Sequence, residues 1–435
     1  MKKNKQKKQY AMQTRLIYGK SVSKKWDYNH HVIPPISSSC TFRLDTAQRG
    51  AQGFAEFAHL HDNTSIESRA PIYIYDRLGE PNKELLEENL AAAEHGEIAV
   101  TFSTGMAAIS AAFGALTGIG DEIIAHRTLY GCTYSLLTNW YPRYDISTQF
   151  IDIKDTELLR RSITERTRVI YFETPVNPTL ELIDITRVVE IVKKANRRRH
   201  AERKIYIVID NTFASPFCQR PIELGADFVV ASLTKSICGF GTDMGGVVIG
   251  PKWSYDRIML YRKDFGGALA AKSAWPILVY GLSSLPLRMR QQISNTYEIA
   301  SYLAKDKRIA YVTYPGLSSF PQYKLAQKQM RDYDGNFAPG SLLYFGLKGK
   351  TPKERHDKGE RFINYLAKNA YAVTLAVSLG HIRTLVEHPS SMTHSAIPLE
   401  QQISNGMDPG GVRLSIGLEK PADIIRDLSE ALDRL

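Results

Sequence analysis

Between residues 98 and 250 the sequence repeats one pattern: a short apolar run, then a helix-like segment. The runs are EIAVTFS, DEIIAH, TQFIDI, RVIYFETP, YIVIDN, FVVASL and GGVVIG. They are apolar almost throughout instead of alternating, as in strands covered on both faces, and strands separated by helices build a parallel sheet. GMAAISAAFGALTGIG, YSLLTNWY, TELLRRSI and ITRVVEIVKKANRRR supply the helices. PNKELLEENLAAAEHG, opened by a proline and closed by a glycine, precedes them. The expectation is an α/β domain over residues 73–285 with a large, mostly parallel sheet. After it come long amphipathic segments (LRMRQQISNTYEIASYLAKD, KERHDKGERFINYLAKN, ADIIRDLSEALDRL) among the strand-like runs YVTYPGL, GSLLYFGLK, TLAVSL, TLVEH and GGVRLSIGLE. These predict a smaller C-terminal α+β domain over residues 286–435. Residues 1–72 lack sustained periodicity and carry turn chemistry such as IPPISSSCTF and RGAQG, so they read as an N-terminal arm.

Composition narrows the class. No apolar run approaches the roughly 18 residues of a membrane span, and MKKNKQKKQY leads into polar sequence, not an export signal. A cytoplasmic protein without membrane contact is expected. Cys40, Cys132, Cys218 and Cys238 have neither metal-ligand nor CxxC spacing, so reduced thiols are expected. The net charge of +11 is confined to two places: five lysines in the first eight residues, and the run KKANRRRHAERK from Lys193 to Lys204. A nucleic-acid surface is a basic face built into a fold. Here a solvated helix end is the expected reading, with binding of nucleic acid or an acidic partner as the non-enzymatic alternative.

Ligands in open α/β sheets bind outside the carboxyl ends of the strands. Three strand ends here carry polar residues: Asp210-Asn211-Thr212 after YIVI, Ser232, Thr234 and Lys235 after FVVA, and Ser103-Thr104-Gly105-Met106 leading into a helix. Each taken singly could be a turn cap or a solvated end. Together they give an anion cradle at a helix N-terminus, a carboxylate, and a lysine that desolvation makes nucleophilic. Pyridoxal 5′-phosphate requires those three parts. No GxGxxG follows the first strand, which argues against a dinucleotide.

The landmarks YDRLGEP (75–81), STGMAA, LYGCTY, ETPVNPTLELIDI, VIDNTFASP, ADFVVASLTKSICG, MTHS (392–395) and VRLSIGLE resemble the Cys/Met-metabolism (transsulfuration) family of pyridoxal-phosphate enzymes from about residue 12 onward. The resemblance implies the aspartate-aminotransferase-like architecture of fold-type I transferases. It implies that Lys235 carries the cofactor on its amine and later moves protons, that Asp210 faces the pyridinium nitrogen, and that Tyr130 stacks on the ring and acts as acid or base. Gly105, Met106, Ser232 and Thr234 would hold the phosphate, and Asn177 would lie near the phenolic oxygen. Arg413 would grip the α-carboxylate of a small amino-acid substrate with help from Ser378. Tyr75 and Arg77 would reach the phosphate of a neighbouring subunit, so a homo-oligomer is implied, a dimer at least and commonly a tetramer.

Three features speak to the reaction. Cys132 and the pair Lys263-Asp264 are similar to residues of methionine γ-lyases, and Val377 is apolar where cystathionine-cleaving relatives tend to carry a glutamate. They imply γ-elimination of L-methionine to methanethiol, 2-oxobutanoate and ammonia. GTDMGG and Arg383 look more like O-acetylhomoserine sulfhydrylases, and cystathionine γ-lyase, γ-synthase or β-lyase chemistry also stays open. Cys132 could equally be a small buried hydrophobe. The stretch HLHDNTSIESRAP, about 59–71, looks like an insertion relative to shorter relatives, and the arginine-rich run like a lengthened loop. The usual Asn-Pro-Thr and Gly-His of the family are replaced by Glu80-Pro81-Asn82 and Gly239-Phe240.

Overall fold

The computed structural model describes residues 10–19, 31–56, 72–392, 400, 403 and 407–435. The Lys-rich start, the expected insertion at 59–71 and most of MTHS lie outside them.

Seven strands form the large sheet: β1 (Ile98–Phe102), β2 (Glu122–His126), β3 (Ser147–Ile151), β4 (Thr167–Glu173), β5 (Tyr206–Asp210), β6 (Phe228–Ser232) and β7 (Gly246–Gly250). Their order is β1-β7-β6-β5-β4-β2-β3. β3, β2, β4, β5 and β6 run parallel, while β7 is antiparallel to both β6 and β1. Both faces are covered because alternate residues of one strand enter different cores. Val169 and Tyr171 of β4 join Val208, Phe228 and Val230 beneath the helix Gly105–Leu116. Ile170 and Phe172 join Ile207, Ile209, Val188 and Val192 beneath the helix Ile185–Asn196. That helix starts where Asp184 accepts a hydrogen bond from the Arg187 N–H, and its apolar positions share one face.

The smaller sheet is β10-β11-β12-β9-β8, from β8 (Ile309–Thr313), β9 (Leu342–Leu347), β10 (Val373–Leu375), β11 (Thr384–Glu387) and β12 (Gly411–Ser415). Helices Pro352–Asn369 and Pro421–Leu432 pack on it through Phe362, Leu366, Ile424 and Leu428. Continuous helical structure from Ala271 to Leu303 joins the two sheets and spans the 285/286 boundary read from sequence. The N-terminal segment is more structured than its composition suggests. Helix Met12–Tyr18 buries Leu16 in the core shared with Leu86 and Leu285. RGAQG, read as turn chemistry, lies inside the helix Ala47–Glu56. No described helix is long and apolar enough to cross a membrane.

The basic run is only partly a solvated helix end. Arg199 donates to the carbonyls of Thr164, Glu165, Thr167 and Arg203, and Arg203 pairs with Asp121 at 2.7 Å. These two arginines tie the loop to the amino ends of β2 and β4, which sequence alone did not indicate.

Candidate active site

Strand register assembles the site at the carboxyl ends of the parallel strands. Gly246, the first residue of β7, pairs with Phe102 at the end of β1 and with Ser232 at the end of β6. A Cβ on Gly246 would lie 2.1 Å from the Thr104 carbonyl oxygen, so only glycine lets the Ser103-Thr104-Gly105 turn sit down between these strands. Thr104 then caps the helix by accepting from the Ala107 N–H at 3.1 Å. The N–H groups of Gly105 and Met106 belong to the first helical turn, which has no intrahelical acceptors. Met106 is also held through its sulfur, which accepts from the Thr133 hydroxyl.

Ser232 lies beside Gly105, where a Cβ on the glycine would come within 3.0 Å of the serine Cβ. The Ser232 N–H donates to Thr212 Oγ1 at 2.9 Å. Thr234 Oγ1 accepts from the Gly245 N–H at 3.1 Å, so its hydroxyl also has a structural duty within the turn.

Two carboxylates end neighbouring strands: Glu173 of β4 is paired with Asp210 of β5. Asp210 accepts from the Thr212 N–H at 2.8 Å and from the Tyr171 hydroxyl at 3.5 Å. Burial raises its pKa, against the hydrogen bonds from Thr212 and Tyr171 and the charge of Lys235. Glu173 accepts from the Tyr130 N–H at 2.6 Å, and burial beside Asp210 raises its pKa to about 8. Glu173 was not singled out in the sequence, although it opens ETPVNP. It fixes the backbone from which the Tyr130 ring projects. Cys132 beside the Tyr130 phenol, together with burial, raises the pKa of Tyr130 to about 12. Cys132 is exposed, which corrects its reading as a buried hydrophobe and leaves it facing the same space as Tyr130.

The small sheet supplies the opposite wall. A Cβ on Gly380 (φ +73°) would lie 2.4 Å from the Ser236 N, and the Ile382 N–H donates to the Gly239 carbonyl at 2.8 Å. The segment after Ser378 is thereby docked on the turn after Lys235. Arg288, buried, pins the same turn by donating to the carbonyls of Ser236 and Ile237. Lys235 Nζ donates to Ser378 Oγ at 2.8 Å. Burial, then the Arg413 charge, lower the Lys235 pKa, while Glu387 and Asp210 oppose the shift. Arg413 Nη1 donates to Asn177 Oδ1 at 2.8 Å and Nη2 to the Ser378 carbonyl at 3.1 Å. Val377, 59% exposed, precedes Ser378 on this wall. One region thus unites Lys235, Asp210, Asn177, Ser378 and Arg413, which are spread over almost 240 positions of sequence.

Tyr75, Arg77, Lys263 and Asp264 form a second cluster. The Arg77 guanidinium sits over the Tyr75 ring, 5.5 Å from its centroid, and donates to the Lys263 carbonyl. Lys263 contacts Asp264 at 3.2 Å. Arg262, 1% exposed, anchors this cluster through Glu87 at 2.6 Å and the Leu78 carbonyl. Among the described residues, no group of His, Cys, Asp and Glu side chains could hold a metal ion.

The family model described as Cys/Met metabolism PLP-dependent enzyme matches residues 13–433. An L-methionine gamma-lyase of Pseudomonas deceptionensis is 39% identical over 98% of each chain. An O-acetyl-L-homoserine sulfhydrylase of Leptospira meyeri is 34% identical, over 83% of this chain and 86% of its own. Among solved structures, a cystathionine gamma-lyase from Lactobacillus plantarum, complexed with L-serine, superposes with a TM-score of 0.81 at 29% identity, covering 98% of this chain and 99% of its own.

Proposed function

The chain belongs to the Cys/Met metabolism PLP-dependent enzymes, and from that membership we propose that it is a carbon–sulfur lyase that cleaves L-methionine. The overall change consumes water: methionine and water give methanethiol, 2-oxobutanoate and ammonia. The observation that carries this reading is the 39% identity to an L-methionine gamma-lyase over nearly the whole of both chains.

The residues fit pyridoxal 5′-phosphate. The first-turn N–H groups of Gly105 and Met106, with Ser232 and Thr234 alongside, suit a phosphate. Asp210, desolvated at the floor, calls for a cationic partner, and a pyridinium N–H is one. Lys235 has the low-pKa amine that covalent attachment to a carbonyl requires. When bound, the cofactor supplies an electron sink for charge developing on the substrate α-carbon.

The chain's own groups do the rest. Arg413, oriented by Asn177 and Ser378, holds the substrate carboxylate and so fixes which α-bond faces Lys235. The Lys235 amine, held by Ser378 Oγ, would take the α-proton. Burial and the Arg413 charge lower its pKa and so favour the neutral form that can accept that proton. Tyr130, protonated at neutral pH, donates a proton to the departing sulfur. Val377 and Cys132 offer the thioether an uncharged wall. Tyr75 and Arg77, packed together beside Lys263, are read as a contribution to a neighbouring subunit's site, and Lys263-Asp264 as part of the substrate side. A homotetramer of paired active sites is the assembly this reading implies.

The test is release of methanethiol from methionine by the purified enzyme, compared with turnover of cystathionine, cysteine, and O-acetylhomoserine plus sulfide. Borohydride reduction should fix the cofactor on Lys235 alone. The identity to the Leptospira meyeri enzyme, with GTDMGG and Arg383, favours sulfhydrylation as the second reading. Homocysteine formation from O-acetylhomoserine, with negligible methanethiol from methionine, would establish that one instead.

A further inference from the structure

Glu387 is paired with Arg413 by the antiparallel register of β11 and β12, and directly opposed residues project from the same face of a sheet. Their side chains form an ion pair at 2.5 Å, with 4% and 5% of their surfaces exposed. Arg413 Nη2 therefore spends its two hydrogens on Glu387 Oε2 and the Ser378 carbonyl, and Nη1 gives one to Asn177. The guanidinium plane is fixed on three sides before any substrate arrives. Its charge is also offset by a carboxylate that salt and water scarcely screen. Arg413 is thus oriented by a buried carboxylate as well as by the neutral acceptors of Asn177 and Ser378.

We propose that Glu387 is the positioning residue of the carboxylate site, fixing the plane of Arg413 and moderating its charge toward both the substrate carboxylate and Lys235. The proposal rests on the reading of Arg413 as the carboxylate-binding residue. Two effects follow, and they separate. Geometry from Glu387 favours carboxylate binding, because a rotated guanidinium presents its remaining donors in the wrong plane. Charge from Glu387 opposes it, because the incoming anion meets a nearly neutral pair. The same charge reaches Lys235, which is faced by Arg413 of β12, Glu387 of β11 and Asp210 of β5. Arg413 lowers the Lys235 pKa, and the two carboxylates raise it.

Glu387→Gln keeps an acceptor oxygen and removes the charge. Glu387→Asp keeps the charge and withdraws the oxygen by one methylene. The probe is 4-(methylthio)butanoate, which has the carboxylate and thioether of the substrate but no amine to react, titrated calorimetrically into the cofactor-loaded enzyme. The second readout is the pH midpoint of the cofactor's visible absorbance without substrate. Glu387→Gln should tighten the probe by roughly three- to tenfold and lower the midpoint by about half a pH unit or more. Glu387→Asp should weaken the probe by a similar factor and leave the midpoint where it was.

An unchanged midpoint and unchanged probe affinity in Glu387→Gln would overturn the proposal. If that variant does not fold, a shifted midpoint or unweakened probe in Glu387→Asp would do so. Arg413→Ala is the separate control. If it binds the probe as tightly as the wild type, the carboxylate-site reading itself fails, whatever the Glu387 variants show.

Discussion

Lys235 Nζ donates to Ser378 Oγ at 2.8 Å across 143 positions of sequence. The same serine accepts from Arg413 through its carbonyl. Ser378 therefore links the Lys235 amine, which follows a strand of the large sheet, to the Arg413 guanidinium of the small one. It does so from a backbone conformation of φ +97° that L residues rarely adopt.

Ser378→Ala should lower kcat/KM for methionine about 2- to 12-fold, the range of one neutral hydrogen bond of about 0.5–1.5 kcal/mol. Ser378→Gly removes the same hydroxyl but relieves the positive φ, so its urea midpoint should be at least that of the alanine variant. Wild-type kinetics in both variants would show that the hydroxyl does not serve the amine.

Arg77→Ala should weaken cofactor retention, measured by dialysis and absorbance, as the proposed charge-assisted contact to phosphate requires. Mixing inactive Arg77→Ala with inactive Lys235→Ala should restore part of the activity once subunits exchange. If labelled subunits exchange and no activity returns, the site lies within one chain.

Val377→Glu should shift preference from methionine toward cystathionine. A carboxylate there attracts a distal ammonium and opposes an apolar methyl group, a difference worth roughly 1–3 kcal/mol, or about 10- to 200-fold in the ratio of kcat/KM values. Cys132→Ser should reduce methionine turnover more than cysteine turnover, since the longer side chain reaches further past Tyr130. Equal losses on both substrates would place Cys132 away from the thioether.

Glu94 supplies a pH test of stability. It is 1% exposed, accepts from Asn211 Nδ2 at 2.6 Å, and burial raises its pKa from 4.5 to about 8. The folded chain keeps this proton where the unfolded chain has lost it. The resulting stability is fully present below about pH 4.5 and disappears as pH rises toward about 8. Between those limits the urea midpoint of the wild type should fall, and Glu94→Gln should fall less, by up to a few kcal/mol of unfolding free energy. Glu173, shifted the same way, leaves the variant some slope. Parallel curves would mean that Glu94 is ionised in the fold.

Much of the candidate site could be read from sequence because its chemistry is local. Asp210 and Ser232 end short apolar strands, Lys235 lies three residues past β6, and Gly105 and Met106 open the helix that follows β1. A strand end fixes where such residues emerge, whatever the sheet order. The apolar runs likewise determined that the large sheet would be buried on both faces. What the sequence did not contain is pairing. That β7 runs antiparallel between β1 and β6, so that Gly246 admits the Thr104 turn, is a property of sheet order. Glu173 was passed over because nothing local marks it as the neighbour of Asp210. Glu387 was passed over because its partner Arg413 lies 26 positions away. Local sequence specifies strands and turns through steric and hydrogen-bonding preferences over a few residues. Which charges face one another is set by cross-strand register and domain docking, and those are decided only when the whole chain buries its apolar surface at once.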